Sequence, residues 1–558
     1  MAKTTGSDLL ISALRAEGVD TVFGVAGDHI LHMLDTMFDA PLRMIDFRHE
    51  SGAGHAADSY SRILKKGGVV LSTTPGHANA VPALANAMHS EAPIINIAGS
   101  AESPNIGRGA MQEFDQVGVA APVTKGAWNV PTPERIPEYV ALAFRTALSG
   151  RQGPVHLTIP HDFQQAEVDD SEVARYAPNE YGTPLQVLGD PAQIERAIDL
   201  LNSAQRPVIL AGSSAGATAE ASEVLRLVET MRIPFFSEDS ARALIPDSHD
   251  YSMGLGYQPL NPAVQNLRDA DVVLMLGKKL DYTLGFGGSP PFNPGAKFVV
   301  VDPSPAQVAR ARTAAVGIVG DVGPIVTQMA DAAAKRNWNE PTEWIDSIRS
   351  TRDKWRSDLE ALGVVENPMH PMHVSNTLQK FIDSDTHMTY DGGDYCHFLR
   401  SSILRDDPYR FHNVSSFGMI GVGLPYALGA QVALPGKKVV LANGDGSLGF
   451  NGMEIDTMVR HNLPVKMMVG NNSIWGIDWQ IQKGLYGRPV WTDLLPTRYD
   501  VMAQGLGAYG EHVTKAEDLE GAMKRAFDYD GPALLNIDIE QIISSVAEAA
   551  ISRKLGSH

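Results

Sequence analysis

A short apolar run, Val439-Val440-Leu441-Ala442, leads into Gly444-Asp445-Gly446-Ser447, and this pairing constrains the fold more than any other stretch. A run so short, apolar throughout and closed by glycines, predicts a buried parallel strand ending in a turn. From Met453 to His461 the residues Met453, Thr457 and Arg460 fall at helical spacing, and Pro464 ends the segment. Val465 to Val469 predicts the next strand, which runs into Gly470-Asn471-Asn472. Asp445 and Asn472 are therefore expected at the C-terminal ends of neighbouring strands, where open α/β sheets bind ligands. The turn's backbone N–H groups can face a phosphate. A carboxylate beside an amide oxygen suits Mg2+, a hard cation that shares oxygen ligands with phosphates.

The same alternation recurs along the chain and predicts an α/β fold of three doubly wound parallel-sheet domains. The first is expected over residues 1–185, with strands such as Gly68–Leu71 and Ile94–Ala98. It ends in a polar linker, Arg175 to Gln186, containing Pro178, Asn179, Gly182 and Pro184. The second, over 190–335, has strands Pro207–Ala211, Val272–Leu276 and Phe298–Asp302. Its Gly212 to Gly216 segment reads first as an ordinary strand-to-helix turn, with a nucleotide-binding turn as the alternative. A charged helical connector, Thr342 to Leu362, precedes the third domain, over 366–545. The tail, 546–558, has a helical Ala/Val/Ile pattern and is expected to fold over a site or fray. The first and third blocks share a pattern, which suits an ancestral duplication.

The 558 residues carry a formal net charge of −19, which argues against nucleic acid or an anionic membrane as partner. The one cysteine, Cys396, excludes an internal disulfide framework or a cysteine metal cluster and is expected to be a small buried residue. With no apolar run of membrane-spanning length and no signal-peptide pattern, the expectation is a cytoplasmic enzyme.

The strand, Gly444-Asp445-Gly446, helix, strand, Asn471-Asn472 series resembles the signature of the thiamine diphosphate-dependent enzymes. The resemblance implies Mg2+ held by Asp445, the Asn472 side chain and the Ile474 carbonyl, with Gly444, Gly446, Ser447, Trp475 and Gly476 around the cofactor. In the N-terminal block a strand is expected to end at His49-Glu50, followed by a helix of small residues. This segment resembles the one carrying the family's activating glutamate, so Glu50 is expected to pair with the aminopyrimidine ring. Thr74-Pro75-Gly76-His77-Ala78-Asn79 resembles the pyrimidine loop, with Thr74 where glycine is usual and Asn79 as the polar contact. Gly392-Gly393-Asp394 resembles the diphosphate-side turn, which assigns Gly393 and Asp394 to the cofactor. In Ser416 to Pro425 the Gly418 carbonyl and the Ile420 wedge would hold the cofactor's bent form. Glu50 and Asp445 lie far apart in sequence, and the resemblance implies a homodimer or homotetramer with the site at a subunit interface.

The branch is less sharply marked. Asp28-His29 follows a predicted strand; the Asp resembles a proton-transfer residue of pyruvate decarboxylase and the His one of benzaldehyde lyase. Gln112-Glu113 resembles acetolactate synthases and stands where pyruvate decarboxylase has paired histidines. Asp478 falls where decarboxylases carry an acid near the reacting carbon. Leu448 to Ile455 and Leu280 to Gly287 resemble oxalyl-CoA decarboxylase and 2-hydroxyacyl-CoA lyase. The expected function is a thiamine diphosphate- and Mg2+-dependent C–C lyase or carboligase on 2-hydroxyacyl-CoA, 2-hydroxyketone or 2-oxo acid substrates. The alternatives are a 2-oxo acid decarboxylase and a non-catalytic cofactor-binding protein.

Overall fold

The computed structural model describes residues 3–178 and 186–556. Asn179, Gly182 and Pro184 of the expected linker lie outside the described residues. The chain divides into two compact units, one built from Met1–Leu185, Ser415–Pro435 and Asp456–His461, the other from the remainder.

The first unit holds a sheet of six parallel strands: β1 (Thr21–Gly24), β2 (Arg43–Asp46), β3 (Gly68–Ser72), β4 (Ile94–Ser100), β5 (Ala127–Asn129) and β6 (Val155–Pro160). Their order is β2-β1-β3-β4-β6-β5, so the sheet reverses direction of growth between β1 and β3. Val69, Leu71, Ile95, Ile97, Val155, Leu157 and Ile159 share one core on one face, and β3 and β6 are buried at every position, the double-sided burial that parallel strands require. The helix Glu50–Leu64 is rich in small residues. They let the helix Gly423–Ala433 approach so closely that a Cβ on Gly429 would sit 2.1 Å from the Ala56 carbonyl oxygen. The packing is pinned by a buried polar cluster: Asn86 donates to the Tyr426 hydroxyl at 2.6 Å, Tyr426 donates to Asp58 at 3.0 Å, and Arg62 donates to Asp58 at 2.6 Å.

The second unit holds two sheets of six parallel strands. One contains β7 (Pro207–Ala211), β8 (Phe235–Ser237), β9 (Ser252–Leu255), β10 (Val272–Leu276), β11 (Lys297–Asp302) and β12 (Val316–Val319), in the order β9-β8-β7-β10-β11-β12. The other contains β13 (His387–Asp391), β14 (Phe411–Asn413), β15 (Val439–Gly444), β16 (Lys466–Asn471), β17 (Tyr509–Val513) and β18 (Ala533–Asp538), in the order β14-β13-β15-β16-β18-β17. The last sheet repeats the strand order of the first. Cys396 is buried, its thiol 3.0 Å from the Asp391 carbonyl oxygen.

The Gly212 to Gly216 segment is a strand-to-helix connection, as its first reading expects. Gly212 caps the short helix Ser213–Thr218, and a Cβ on it would lie 2.4 Å from Lys278 Cα, so glycine lets the two backbones approach. No helix among the described residues is long and apolar enough to cross a membrane.

Candidate functional site

In the second unit, three turns converge at the C-terminal ends of β13, β15 and β16, the point where that sheet's strand order reverses. Asp391 ends β13, Gly392 and Gly393 turn the chain, and Asp394 opens the helix Asp394–Ser402. Gly392 has φ +119°, and a Cβ there would lie 2.9 Å from Gly444 N, so glycine is required by both conformation and space. Asp445 opens the helix Asp445–Asn451, and Ser447 closes the turn by accepting from Asn443 at 3.1 Å beside the Gly444 and Asp391 carbonyls. The helix expected over Met453 to His461 forms as Glu454–Arg460, and Asp445–Asn451 is a further short helix before it.

The two asparagines divide their work. Asn471 builds the turn: its amide donates to Thr497 O and Asn536, and its oxygen accepts from Ser473 N at 3.2 Å. Ser473 takes φ +59°, and its N–H donates to Asp445 Oδ2 at 2.9 Å, which joins Asp445 to the Asn472–Ile474 turn. Asn472 Oδ1 accepts only a long 3.3 Å bond from Ile474 N, in an Asx turn. Trp475 is fixed by its N–H to Thr492 O, and its indole lies where a Cβ on Gly446 would be, 2.7 Å away. Gly476 opens the helix Gly476–Tyr486, and Asp478 is exposed in its first turn.

Burial pushes the Asp445 carboxyl up to about 6, against the backbone N–H groups of Gly446 and Ser473 that pull it down. Burial also pushes Asp394 up to about 6, with Asp478 adding to it, while Ser544 donates its hydroxyl to Oδ1 at 2.5 Å. Asp394 Oδ2 is buried without a hydrogen-bond partner. Among the described residues no lysine or arginine forms an ion pair with either group. Two desolvated carboxyls and an orphaned oxygen fit a site completed by a cation and a hydrogen-bonding ligand. No trio of His, Cys, Asp and Glu clusters among the described residues. A cation beside Asp445 would therefore use the oxygens of Asn472 and Ile474, a donor set that suits Mg2+.

The first unit gathers a second set of polar groups where its sheet reverses. β1 ends at Gly24, and the turn Asp28–Ile30 leaves Asp28 exposed and His29 buried. β2 ends at Asp46, three residues before the expected point, because its pairing partner β1 ends opposite it at Gly24; the Asp46 carboxylate accepts from Arg460 at 2.5 Å and pairs with His461 at 2.8 Å. Glu50 is half-buried at the start of its helix, and its Oε2 accepts from Asn79 Nδ2 at 3.0 Å. A Cβ on Gly76 would lie 2.6 Å from Glu50 Oε1, so glycine there makes room for the carboxylate. The segment Thr74–Asn79 is not a loop. It forms the first turns of the helix Thr74–Ser90, because Thr73 caps it and Pro75 falls where no N–H is needed.

The remaining expected residues are placed as follows. Gln112 is exposed at φ +57° in a loop drawn around Glu113, whose carboxylate accepts from Gly107, Gly109 and Ala110 N–H groups and is held below the usual range by them. Gly418 has φ +71° in a turn closed by its N–H to Ser415 O at 2.9 Å, and Ile420 is half-buried. Sequence reasoning missed the groups that hold His29: Thr74 Oγ1 lies 3.4 Å from its Nδ1, and Gln164 donates to its carbonyl at 2.7 Å.

Residues 4–119 match the model of the thiamine pyrophosphate enzyme N-terminal TPP binding domain, 194–329 the central domain, and 391–537 the C-terminal TPP binding domain. The acetolactate synthase large subunit of Mycobacterium tuberculosis is 34% identical over 540 residues, 95% of this chain and 94% of the relative. An acetolactate synthase isozyme 2 large subunit of Escherichia coli is 29% identical, covering 96% of each chain. Oxalyl-CoA decarboxylase of Escherichia coli is 30% identical over 96% of this chain and 95% of its own. With both TPP binding domains and the central domain present, the chain belongs to the thiamine pyrophosphate enzyme family and is a thiamine diphosphate-dependent enzyme.

Proposed function

We propose that the protein is a Mg2+-requiring carbon–carbon lyase or carboligase acting on 2-oxo acid or 2-hydroxyketone substrates. The observation that carries the Mg2+ assignment is the buried Asp445 carboxyl, hydrogen-bonded to the Asn472–Ile474 turn and without a cationic side chain among the described residues. Asp445, Asn472 and the Ile474 carbonyl hold the cation, and the turns at Gly393 and Gly444–Ser447 receive the diphosphate through backbone N–H groups. Thiamine diphosphate, when bound, supplies a carbon nucleophile and an electron sink for bond making or breaking next to a carbonyl. Glu50 holds a proton at the aminopyrimidine ring, oriented by Asn79 at 3.0 Å. Gly418 and Ile420 support the same ring. Asp28, His29, Gln112 and Asp478 are assigned to substrate handling. The active form is a homodimer or homotetramer, and the compartment is the cytoplasm.

A product-resolved assay with thiamine diphosphate and Mg2+ tests this, with pyruvate, an aromatic 2-hydroxyketone and a 2-hydroxyacyl-CoA as substrates. Acetolactate or acetoin from pyruvate, or aldehyde from the hydroxyketone, is the expected result. Turnover of the thioester alone favours a second reading, an acyl-CoA lyase, which rests on the 30% identity to oxalyl-CoA decarboxylase. Inertness toward all three overturns both readings.

A further inference from the structure

The turn that carries Gly418 is held from behind by a buried asparagine of the first unit. Asn86 lies in the helix Thr74–Ser90, is fully buried, and belongs to the polar cluster around Asp58. Its Nδ2 donates to the Tyr426 hydroxyl at 2.6 Å and to Asp58 Oδ2 at 3.3 Å. The same carboxylate accepts from Ser90 at 2.6 Å and from Arg62 at 2.6 Å. A carboxylate oxygen only accepts, so the amide turns its NH2 group toward Asp58 and its Oδ1 away. That oxygen accepts from the Ser415 hydroxyl at 2.8 Å. The opposite orientation of the amide would keep a bond to Ser415, because a hydroxyl can give or take.

Ser415 in turn folds the residues after it. Its Oγ accepts from Phe417 N at 3.2 Å, and its carbonyl accepts from Gly418 N at 2.9 Å. The chain passes through Gly418 at φ +71°, where glycine is favoured. The Phe417 ring stacks on His89, with centroids 4.6 Å and planes 16° apart. Asn86 and His89 are three residues apart on one helix and so share a face. That face meets the turn at two points, one polar at Ser415 and one aromatic at Phe417. Ser416, Phe417 and Gly418 are exposed, so little other packing holds them.

Resting on the assignment of Gly418 and Ile420 to the aminopyrimidine ring, we infer that Ser415 is a positioning residue, fixed by Asn86, that sets where the Gly418 carbonyl points. The hydroxyl bridges the buried cluster and the Phe417 amide, so its loss frees the turn on both sides. An acceptor already aimed before the ligand arrives has less freedom to lose on binding than one that must be ordered.

Ser415→Ala removes the hydroxyl and leaves the other bonds of the Asp58 cluster in place, and Ser415→Thr keeps the hydroxyl. Hydrogen exchange of the full chain without ligands reads the turn directly, at the Phe417 and Gly418 amides. In the holoenzyme with thiamine diphosphate and Mg2+, 1H NMR after acid quench reads exchange of the bound cofactor's thiazolium C2 hydrogen for deuterium. Ser415→Ala is expected to speed exchange of the Phe417 amide about tenfold and to slow C2 exchange about tenfold, the scale of one hydrogen bond. Mg2+ affinity and melting temperature should stay close to native. Ser415→Thr should restore both rates. Native amide exchange in Ser415→Ala overturns the inference and leaves the assignment of Gly418 standing. Equal changes in the alanine and threonine variants also overturn the inference. Faster amide exchange with native C2 exchange keeps Ser415 as an anchor of the turn, but overturns its role toward the cofactor and the assignment of Gly418 and Ile420.

Discussion

The first and last sheets share one strand order, β2-β1-β3-β4-β6-β5 and β14-β13-β15-β16-β18-β17, and each gathers polar residues where the order reverses. They satisfy those residues in different ways. Around β1 and β3 a buried row of neutral side chains runs from His77 through Asn96, His156, Thr158 and Gln116 to Thr74 beside His29, with the Asn96 and Gln164 amide oxygens left unpaired and the histidines kept neutral by burial. Around β13 and β15 two carboxyls are buried with their pKa values raised, and one oxygen of Asp394 has no partner. The same topology thus frames one cluster of neutral polar groups and another of buried carboxyls. A shared strand order sets where polar residues gather, and local residue choice sets whether they are neutral or carboxyls.

The largest expected effect separates chemistry from binding. Glu50→Gln keeps the shape and the Asn79 contact but cannot hold the activating proton. Turnover should fall by roughly 10²- to 10⁴-fold, the range for a lost acid–base group, with cofactor still bound in a fluorescence titration. Unchanged turnover would remove Glu50 from its role. On the other side, Asp445→Ala should weaken Mg2+ and thiamine diphosphate together, by about 100-fold or more. Calorimetry of both ligands checks this, and retention of either at native affinity would contradict the metal assignment. The native protein should gain about 3 kcal/mol of stability at a hundredfold excess of ligand over Kd, and the Ala variant almost none.

Much of the second half-site is legible in the sequence, because its signals are local. An apolar run, a glycine turn, an acid and a proline fall within one stretch, and β15 and β16 form almost where Val439–Ala442 and Val465–Val469 predict them. The first half-site is legible only as far as its own local motifs, Glu50 and the Thr74–Asn79 segment. The chain through His77, Asn96, Gln116 and His156 links four elements that only tertiary folding brings together, and no spacing rule joins them. β8 has three residues and follows Pro234, so it is too short for a period to register. The end of β2 differs from its expected place because its partner strand β1 stops at Gly24, opposite Asp46, a pairing that the residues of β2 alone do not show.

Acid should break the comparison open next. His55 and His77 are buried with pKa values near 4, against about 6.5 in an unfolded chain. Between those values the unfolded state binds more protons, so stability rises with pH and is lost as pH falls from 6.5 toward 4. Each of the two would withdraw roughly 3 kcal/mol over that window. In the β13–β18 half His397, pushed down to about 3, acts in the same direction, but Asp394 and Asp445 have the opposite sign: their folded pKa values are raised to about 6, so the folded form binds more protons between pH 6 and 3.8 and gains stability there. Peptides of the β1–β6 sheet should therefore lose hydrogen-exchange protection before those of β13–β18 as pH is lowered, after correction for intrinsic exchange. The reverse order would show that the buried histidines are not neutral in the folded protein.

The smallest expected effect concerns Asp394, whose Oδ1 is taken by a protein hydroxyl. Ser544 donates to Asp394 Oδ1 at 2.5 Å, so its oxygen is left to accept from His397 Nδ1 at 3.1 Å and from Ala547 N at 3.4 Å. His397 is neutral, its pKa pushed down to about 3 by burial, so it carries its hydrogen on Nδ1. The serine therefore joins the Asp394 turn to the start of the helix Ser545–Gly556, which also packs on Gly476–Tyr486 through Ile551 against Gly484. Ser544→Ala removes the acceptor and leaves the His397 N–H buried and unpaired, at a cost of about 1–3 kcal/mol. Because Ile551 still holds the helix, the loss should be local. Limited proteolysis should clip the last helix sooner, while the melting of the β13–β18 sheet shifts little. A tail as resistant as in the native chain would mean that apolar packing alone holds it, and that Asp394 is kept for the ligand rather than for the fold.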